Sequence, residues 1–150
     1  MTFHLAHLNI AKLLKPIDHP DSAEFYNNVT RINTLAEQSE GFVWRLIDEE
    51  GDPAHPMHEN PFVIATLSVW ENIDALKDFS FKTDHGDFVK RRREWFEKLD
   101  YAYVVLWYVP EGHQPNLTEA MSKLKLLQEH GDTPEAFSFR KIFFYQRHKT

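Results

Sequence analysis

Residues 62–80 read FVIATLSVWENIDALKDFS, and this stretch decides the fold. Its first nine residues are nearly all apolar or β-branched, which indicates a strand buried on both faces. Asn72 can then cap a short helix that turns Ile73, Leu76 and Phe79 inward. The stretch therefore predicts a central strand followed by a helix that covers one face of a sheet.

The elements before this stretch extend the same pattern. Phe3 to Ile10 alternates with period two, as a half-buried strand does. Asp21 and Glu24 have the spacing of a capping box and precede an amphipathic helix that ends near Gly41. Residues 42–47 are rich in β-forming types and predict a second strand.

The elements after it complete the domain. A second helix is predicted up to about residue 99, and a strand over 101–109. Asn116 and Glu119 form another candidate capping box, and the alternation of Phe137, Phe139 and Phe143 suggests a last strand. The order is the ferredoxin-like split β-α-β-β-α-β unit with a C-terminal helix–strand extension, an α+β fold. Residues 1–150 read as one domain.

Helices cover only one face of such a sheet, so the other face needs a cover of its own. That face is predicted to carry Trp44, Trp107 and Phe62. Two copies packed sheet to sheet would bury it. The chain is therefore expected to form a homodimer, a dimeric α+β barrel.

The composition limits the classes of binding partner that the chain can have. A net charge of −6 gives no general attraction to nucleic acids or anionic membranes. No apolar run approaches the roughly 20 residues of a membrane span. There is no cysteine and no recognisable signal peptide, so a cytoplasmic location is expected. The aromatic content (12 Phe, 5 Tyr and 4 Trp) is more than a small monomeric core needs.

Several segments resemble an uncharacterised bacterial family of unknown function, and together they span nearly the whole chain. The matching segments are 41–46, 68–76, 91–96, 106–113 and 131–137. More distantly, the Gly41 turn and residues 69–75 resemble the antibiotic-biosynthesis monooxygenase superfamily. That resemblance implies a dimeric barrel with a hydrophobic or aromatic substrate between sheet and helices. Some members oxidise quinol precursors without a cofactor, and no cofactor is expected here.

Other members of that superfamily cleave haem with an Asn on the first strand and a Trp and a His on the helical segment. Asn9 matches the first position, whereas Phe79 stands where the Trp would lie. His85 is present about one helical turn early. The resemblance thus makes haem degradation a weaker alternative.

The candidate catalytic residues are Asn9, His7 and His85. His7 and Asn9 point to the same strand face, where a His can exchange a proton near neutral pH and an Asn can hydrogen-bond a substrate carbonyl or enolate. The alternative is that backbone or water satisfies both at a sheet edge. His85 begins a helix beside Asp84 and faces either a cleft or solvent.

The candidate ligand-binding residues combine aromatic rings with a few polar groups, the usual lining of a small-molecule site. They are Trp44, Ser68, Trp70, Phe79, Arg92 and Trp107. Thr66 and Ser68 share a strand face and fit equally well as small residues in a tight sheet. The Trp residues fit equally well as core or dimer packing, and Arg92 could hold an anion.

No metal site is predicted. His55 and His58, with Glu59 beside them, have plausible ligand types, but no further ligand that would complete a functional site is evident in the sequence. Nucleophile elbows, P-loops and dinucleotide fingerprints are missing. The first functional hypothesis is a cofactor-independent, monooxygenase-like enzyme acting on a small aromatic or hydrophobic substrate. The alternatives are a non-catalytic dimer that binds such a ligand and a dimer whose aromatic residues only pack.

Overall fold

The computed structural model describes residues 2–15, 19–47, 55–56, 62–82, 95–97 and 102–144. Its elements in chain order are β1 (Phe3–Lys12), a 3-10 turn (Pro20–Ser22), α1 (Ala23–Glu37), β2 (Phe42–Arg45), β3 (His55–Pro56), β4 (Val63–Trp70), α2 (Ile73–Lys82), β5 (Val104–Pro110) and α3 (Leu117–His130). None of the helices in these ranges has the length and apolarity that a membrane crossing requires.

The described strands form an antiparallel sheet in the order β2-β4-β1-β5, and β3 also pairs with β4. The α+β, ferredoxin-like prediction is confirmed. β4 and β1 occupy the centre, where both faces of a strand are covered. This position explains why residues 62–70 read as a nearly continuous apolar run.

One face of the sheet is covered by α1 and α2. The inward side chains of α1 include Phe25, Val29, Ile32 and Ala36, which recur at helical spacing and are buried. Those of α2 are Ile73, Leu76 and Phe79, as their spacing predicted. We call this side of the sheet the helix face.

The turn before β2 brings α2 close to the backbone. Gly41 has φ of +86°, and a Cβ there would lie 2.4 Å from the Cβ of Ala75. The Gly41 carbonyl also accepts a hydrogen bond from the amide of Glu71 (2.7 Å). Only glycine combines this backbone conformation with so close an approach.

The opposite face is covered by α3 from the same chain. Trp107 is 1% exposed and belongs to a cluster with Ala120, Leu124 and Leu127 of that helix. Trp44 is partly buried against the same cluster. The expectation that this face needs a second copy as its cover is therefore wrong, because the helix predicted as an appendix folds back onto it.

The predicted helix caps have mixed outcomes. The side chains of Asn72 and Asn116 accept hydrogen bonds from backbone amides three residues on, at 2.9 and 2.8 Å. The capping box predicted at Asp21 and Glu24 is wrong. A 3-10 turn moves the start of α1 so that Ser22 is its N-cap, and Ser22 Oγ donates to the Lys15 carbonyl instead (3.3 Å).

Two further segments differ from prediction. In residues 95–97, where the sequence predicted helix, Phe96 instead makes an isolated β-bridge to Leu13, just beyond β1. Most of that predicted helix lies outside the described residues. After α3, Phe137 makes an isolated bridge to Leu106 of β5, and no strand follows within the described residues up to 144.

Candidate functional site

A cavity of about 410 Å³ lies between the helix face and α1 and α2. Its walls are mostly apolar and aromatic. The residues that line it include His7, Asn9, Phe42, Arg45, Thr66, Ser68, Trp70, Phe79 and Phe139. A cavity of this size with apolar walls and a few polar groups has the form of a small-molecule site.

The floor of the cavity is a polar patch on the two central strands. His7 of β1 pairs with Ser68 of β4, and Asn9 pairs with Thr66. Residues two apart on a strand point to the same face, so all four side chains lie on the helix face. We call these four residues the polar floor.

The Asn9 side chain is the unusual member of the polar floor. Its Oδ1 is buried and has no hydrogen-bond partner among the described residues. Buried amide oxygens in native proteins nearly always have a donor, because a missing bond costs about 1–3 kcal/mol. Because Asn9 also lines the cavity, its amide oxygen is a candidate acceptor for a donor on a bound ligand.

Aromatic rings form a wall next to the polar floor. Trp70 stacks on Phe79 with ring centroids 5.2 Å apart and 27° between the planes, and Phe42 meets Trp70 edge to face. The indole N–H of Trp70 donates to Ser68 Oγ (3.0 Å). This bond fixes the Ser68 hydroxyl as an acceptor towards Trp70 and leaves its own O–H as a donor.

The segment after α3 contributes Phe139 to the wall of the cavity. Phe139 lines the cavity and meets the His7 ring edge to face at 6.1 Å. The hydroxyl of Tyr108 on β5 donates to the Phe143 carbonyl (2.7 Å) and ties this segment to the sheet. The contact of Phe139 therefore restricts the orientation of the His7 imidazole.

Arg45 lies at the mouth of the cavity, with 20% of its side chain exposed. Its Nε donates to Glu37 Oε1 at the end of α1 (3.0 Å). Arg45 also pairs with Ser68 across β2 and β4, so Arg45, Ser68 and His7 form a row across three strands. The row extends the polar floor from the interior to solvent.

The structure brings together five of the nine predicted site residues, namely His7, Asn9, Ser68, Trp70 and Phe79, around this cavity. His85 and Arg92 lie outside the described residues. The grouping of Trp44 and Trp107 with the cavity is wrong, since both belong to the cluster on the opposite face.

Trp107 has a different partner. Its indole N–H donates to Glu119 Oε2 (3.0 Å), and the other oxygen of that carboxylate lies 2.6 Å from His113 Nε2. Glu119 is in the first turn of α3, so the bond anchors that helix on the sheet. The role of Trp107 is thus to hold α3 in place.

Arg45 and Phe139 line the cavity but were not among the predicted site residues. A register shift between Phe42 and Trp44 reverses the alternation of β2 and turns Arg45 to the cavity. No local pattern announces such a bulge. Phe139 was visible only as one of several alternating aromatic residues near the end of the chain.

Within the described ranges, no group of three or more His, Asp or Glu side chains is arranged to hold a metal ion. The side chains of His55, His58 and Glu59 are outside what the structure describes. The cavity offers an aromatic wall, the Asn9 amide oxygen, which no described donor meets, the His7 imidazole and the Arg45 guanidinium.

Comparison with protein families identifies one match. Residues 4–150 match the family described as a domain of unknown function, DUF3291. The chain belongs to the DUF3291 family. The resemblance to an uncharacterised family of unknown function is confirmed by this match, which covers nearly the entire sequence. A comparison with curated protein sequences found no significant match.

Solved structures similar to this DUF3291 protein share its fold at low identity. PA3566 from Pseudomonas aeruginosa is 10% identical with a TM-score of 0.53, covering 75% of this chain and 98% of its own. SnoaB from Streptomyces nogalater, described as a cofactor-independent oxygenase, is 13% identical with a TM-score of 0.51, covering 77% and 98%. A conserved protein from Methanosarcina mazei Go1 is 13% identical with a TM-score of 0.50, covering 72% and 92%. At these identities the likeness establishes the fold.

Proposed function

We propose that this protein binds a small aromatic molecule carrying a hydroxyl group in the cavity and oxidises it with molecular oxygen, as a monooxygenase-like enzyme without a cofactor. The observation that carries the proposal is the buried Oδ1 of Asn9, a residue that lines the aromatic cavity and whose amide oxygen has no donor among the described residues. A phenolic O–H supplies the missing donor.

The cavity walls favour a flat ligand. Trp70, Phe79 and Phe42 line the cavity and pack against one another, and an aromatic ligand can pack on such rings. A phenol oriented by these rings would place its hydroxyl on the polar floor. Asn9 then accepts the O–H, and His7, two residues along the same strand face, is the side chain that can take up the proton.

The chemistry balances without an external reductant. A phenol deprotonated towards His7 becomes a phenolate, which can transfer one electron to O₂. Recombination at the para carbon forms a C–O bond and, with the proton returned from His7, a hydroperoxide. Loss of water, which takes the hydrogen of that carbon, yields a quinone. One oxygen atom enters the product and the other leaves as water, with the substrate supplying all the electrons.

The likeness to SnoaB supports the choice of reaction to test. That protein is described as a cofactor-independent oxygenase and has the same fold. At 13% identity its activity is a suggestion for this chain, and the proposal depends on the polar floor. The apolar enclosure around that floor limits water, which would otherwise stabilise the phenolate and compete for the same hydrogen bonds.

The experiment uses 1,5-naphthalenediol, whose oxidation by one O₂ yields 5-hydroxy-1,4-naphthoquinone and water. Oxygen uptake and quinone absorbance give the rate, and labelled oxygen gas should leave one labelled atom in the quinone. Asn9→Ala is expected to lower the rate by about 10²-fold, typical of removing a group that stabilises a developing oxyanion. Asn27→Ala, at an exposed position on α1, is the matched control and should retain the wild-type rate.

Three outcomes separate the candidates. Quinone formation that Asn9→Ala slows by about 10²-fold supports the enzyme. Tight binding of the diol with no oxygen uptake contradicts turnover and favours the non-catalytic ligand-binding alternative. Failure of every phenol to bind contradicts both. A haem titration without a Soret shift removes the haem-degrading alternative.

A further inference from the structure

The cavity has a second polar feature that the proposed function does not use, the guanidinium of Arg45 at its mouth. Among the described residues that line the cavity, Arg45 is a cation and none is Asp or Glu. Glu37 pairs with Arg45 (3.0 Å) but is not among the lining residues, so Arg45 is the group of the described lining that can meet an anionic group of a ligand.

Arg45 has hydrogen-bonding capacity to spare. Its Nε is used by Glu37, and its Nη1 lies 3.5 Å from the Leu46 carbonyl, at the limit of a hydrogen bond. A guanidinium has five N–H donors in a planar fork that matches a carboxylate. In the described part of the chain the Nη2 donors have no partner, so the fork can take a ligand carboxylate while Glu37 holds its Nε side.

The two polar features are separated by a distance that one ligand can span. Arg45, Ser68 and His7 are neighbours across three strands, and Asn9 is two residues beyond His7. Strand spacing and rise place the Cα atoms of Arg45 and Asn9 about 12 Å apart. Both residues line the same cavity of about 410 Å³, which is large enough for a bicyclic aromatic ligand with a polar group at each end.

We infer that the substrate class is a hydroxylated aromatic carboxylate, with its hydroxyl on Asn9 and its carboxylate on Arg45. This inference rests on the proposed function, because it assigns the orientation of the same ligand in the same cavity. Ser68 lies between the two ends and offers its O–H to the ligand edge. Glu37 competes with the ligand for Arg45 and so limits the affinity for the carboxylate.

The test compares three probes by calorimetry on the wild-type chain. They are 6-hydroxy-2-naphthoic acid, 2-naphthol, which lacks the carboxylate, and 2-naphthoic acid, which lacks the hydroxyl. The first is expected to bind about tenfold more tightly than either of the others, since a charge-assisted hydrogen bond has at least that effect. Equal affinity of 2-naphthol and the hydroxy acid would overturn the inference and leave the proposed function standing.

Two variants assign the effect to Arg45. Arg45→Met should reduce the preference for the hydroxy acid over 2-naphthol to within about twofold. Glu37→Gln breaks the same ion pair but leaves the guanidinium, so it should bind the carboxylates at least as tightly as wild type. If both variants lose the same amount of carboxylate affinity, the effect comes from breaking the ion pair between Arg45 and Glu37 and not from the guanidinium itself. That result would overturn the assignment. If none of the three probes binds and no phenol is oxidised, the proposed function fails as well.

Discussion

His7 on β1 lies directly opposite Ser68 on β4, and both side chains face the cavity. The next pair on the same face is Asn9 with Thr66. Four polar side chains at the centre of a sheet are costly unless something compensates them. Here the compensation includes the Trp70 indole for Ser68, whereas the Asn9 oxygen has no partner among the described residues.

Replacing Asn9 should therefore separate stability from ligand binding. Asn9→Leu keeps the side-chain size and removes the unpaired buried oxygen, so the free energy of unfolding should stay level or rise by about 1 kcal/mol. Binding of phenols should fall at the same time. Urea unfolding and calorimetry measure the two effects. Thr66→Val is the control for deleting a neighbouring hydroxyl. A loss of stability above about 1 kcal/mol in Asn9→Leu would mean that the fold itself satisfies the amide.

The Gly41 turn should tolerate no side chain. Gly41→Ala adds a Cβ 2.4 Å from that of Ala75 at φ of +86° and should destabilise by about 2–4 kcal/mol. Gly112→Ala is the matched control, because its φ of +90° is similar but no atom lies within 4 Å of the added Cβ. In that control the free energy of unfolding should fall by only about 1 kcal/mol, which is the cost of placing a side chain on this backbone conformation. Equal losses in the two variants, measured by urea unfolding, would contradict the steric argument.

The two buried Trp residues should differ in their effect on ligand binding. Trp107→Phe removes the bond to Glu119 and part of the packing under α3, so stability should fall by about 1–3 kcal/mol with phenol affinity unchanged. Trp70→Phe should instead change phenol affinity several-fold, because Trp70 lines the cavity. Calorimetry on both variants tests the assignment of Trp107 to the other face. A large affinity loss in Trp107→Phe would argue against it.

The hydroxyl of Tyr108 should control the segment that contributes Phe139 to the wall of the cavity. Tyr108→Phe removes the hydrogen bond to the Phe143 carbonyl and should cost about 0.5–1.5 kcal/mol locally. Amide hydrogen exchange around residues 137–143 should accelerate while exchange in β4 stays unchanged. Faster exchange throughout the sheet would show that the effect is global.

The homodimer stays a prediction, on a changed basis. The sheet face that was expected to form the dimer interface is covered by α3. However, β2 lies at the edge of the sheet, and Val43 in this strand and Ile47 just after it are 38% and 63% exposed. Sedimentation at micromolar concentration should give a dimer, and Ile47→Asp should weaken it. Leu14→Asp, at an exposed apolar residue after β1, is the control. A wild-type monomer would contradict the prediction.

Local patterns in the sequence determined much of the fold. The apolar run in 62–70 and the inward stripe of α2 predicted a central strand and its covering helix, because burial acts on neighbouring residues at a fixed period. The caps at Asn72 and Asn116 followed from short-range hydrogen bonding. The same period of two placed His7 and Asn9 on one face before any partner strand was known.

Only the tertiary structure decided which residues meet across strands. The pairing of Asn9 with Thr66 depends on the register between β1 and β4, and the bulge in β2 turns Arg45 to the cavity and Trp44 to the opposite face. The return of α3 onto the opposite face likewise depends on contacts such as Trp107 to Glu119. Such contacts join residues distant in sequence or on different strands. Their energy depends on geometry that no single segment encodes.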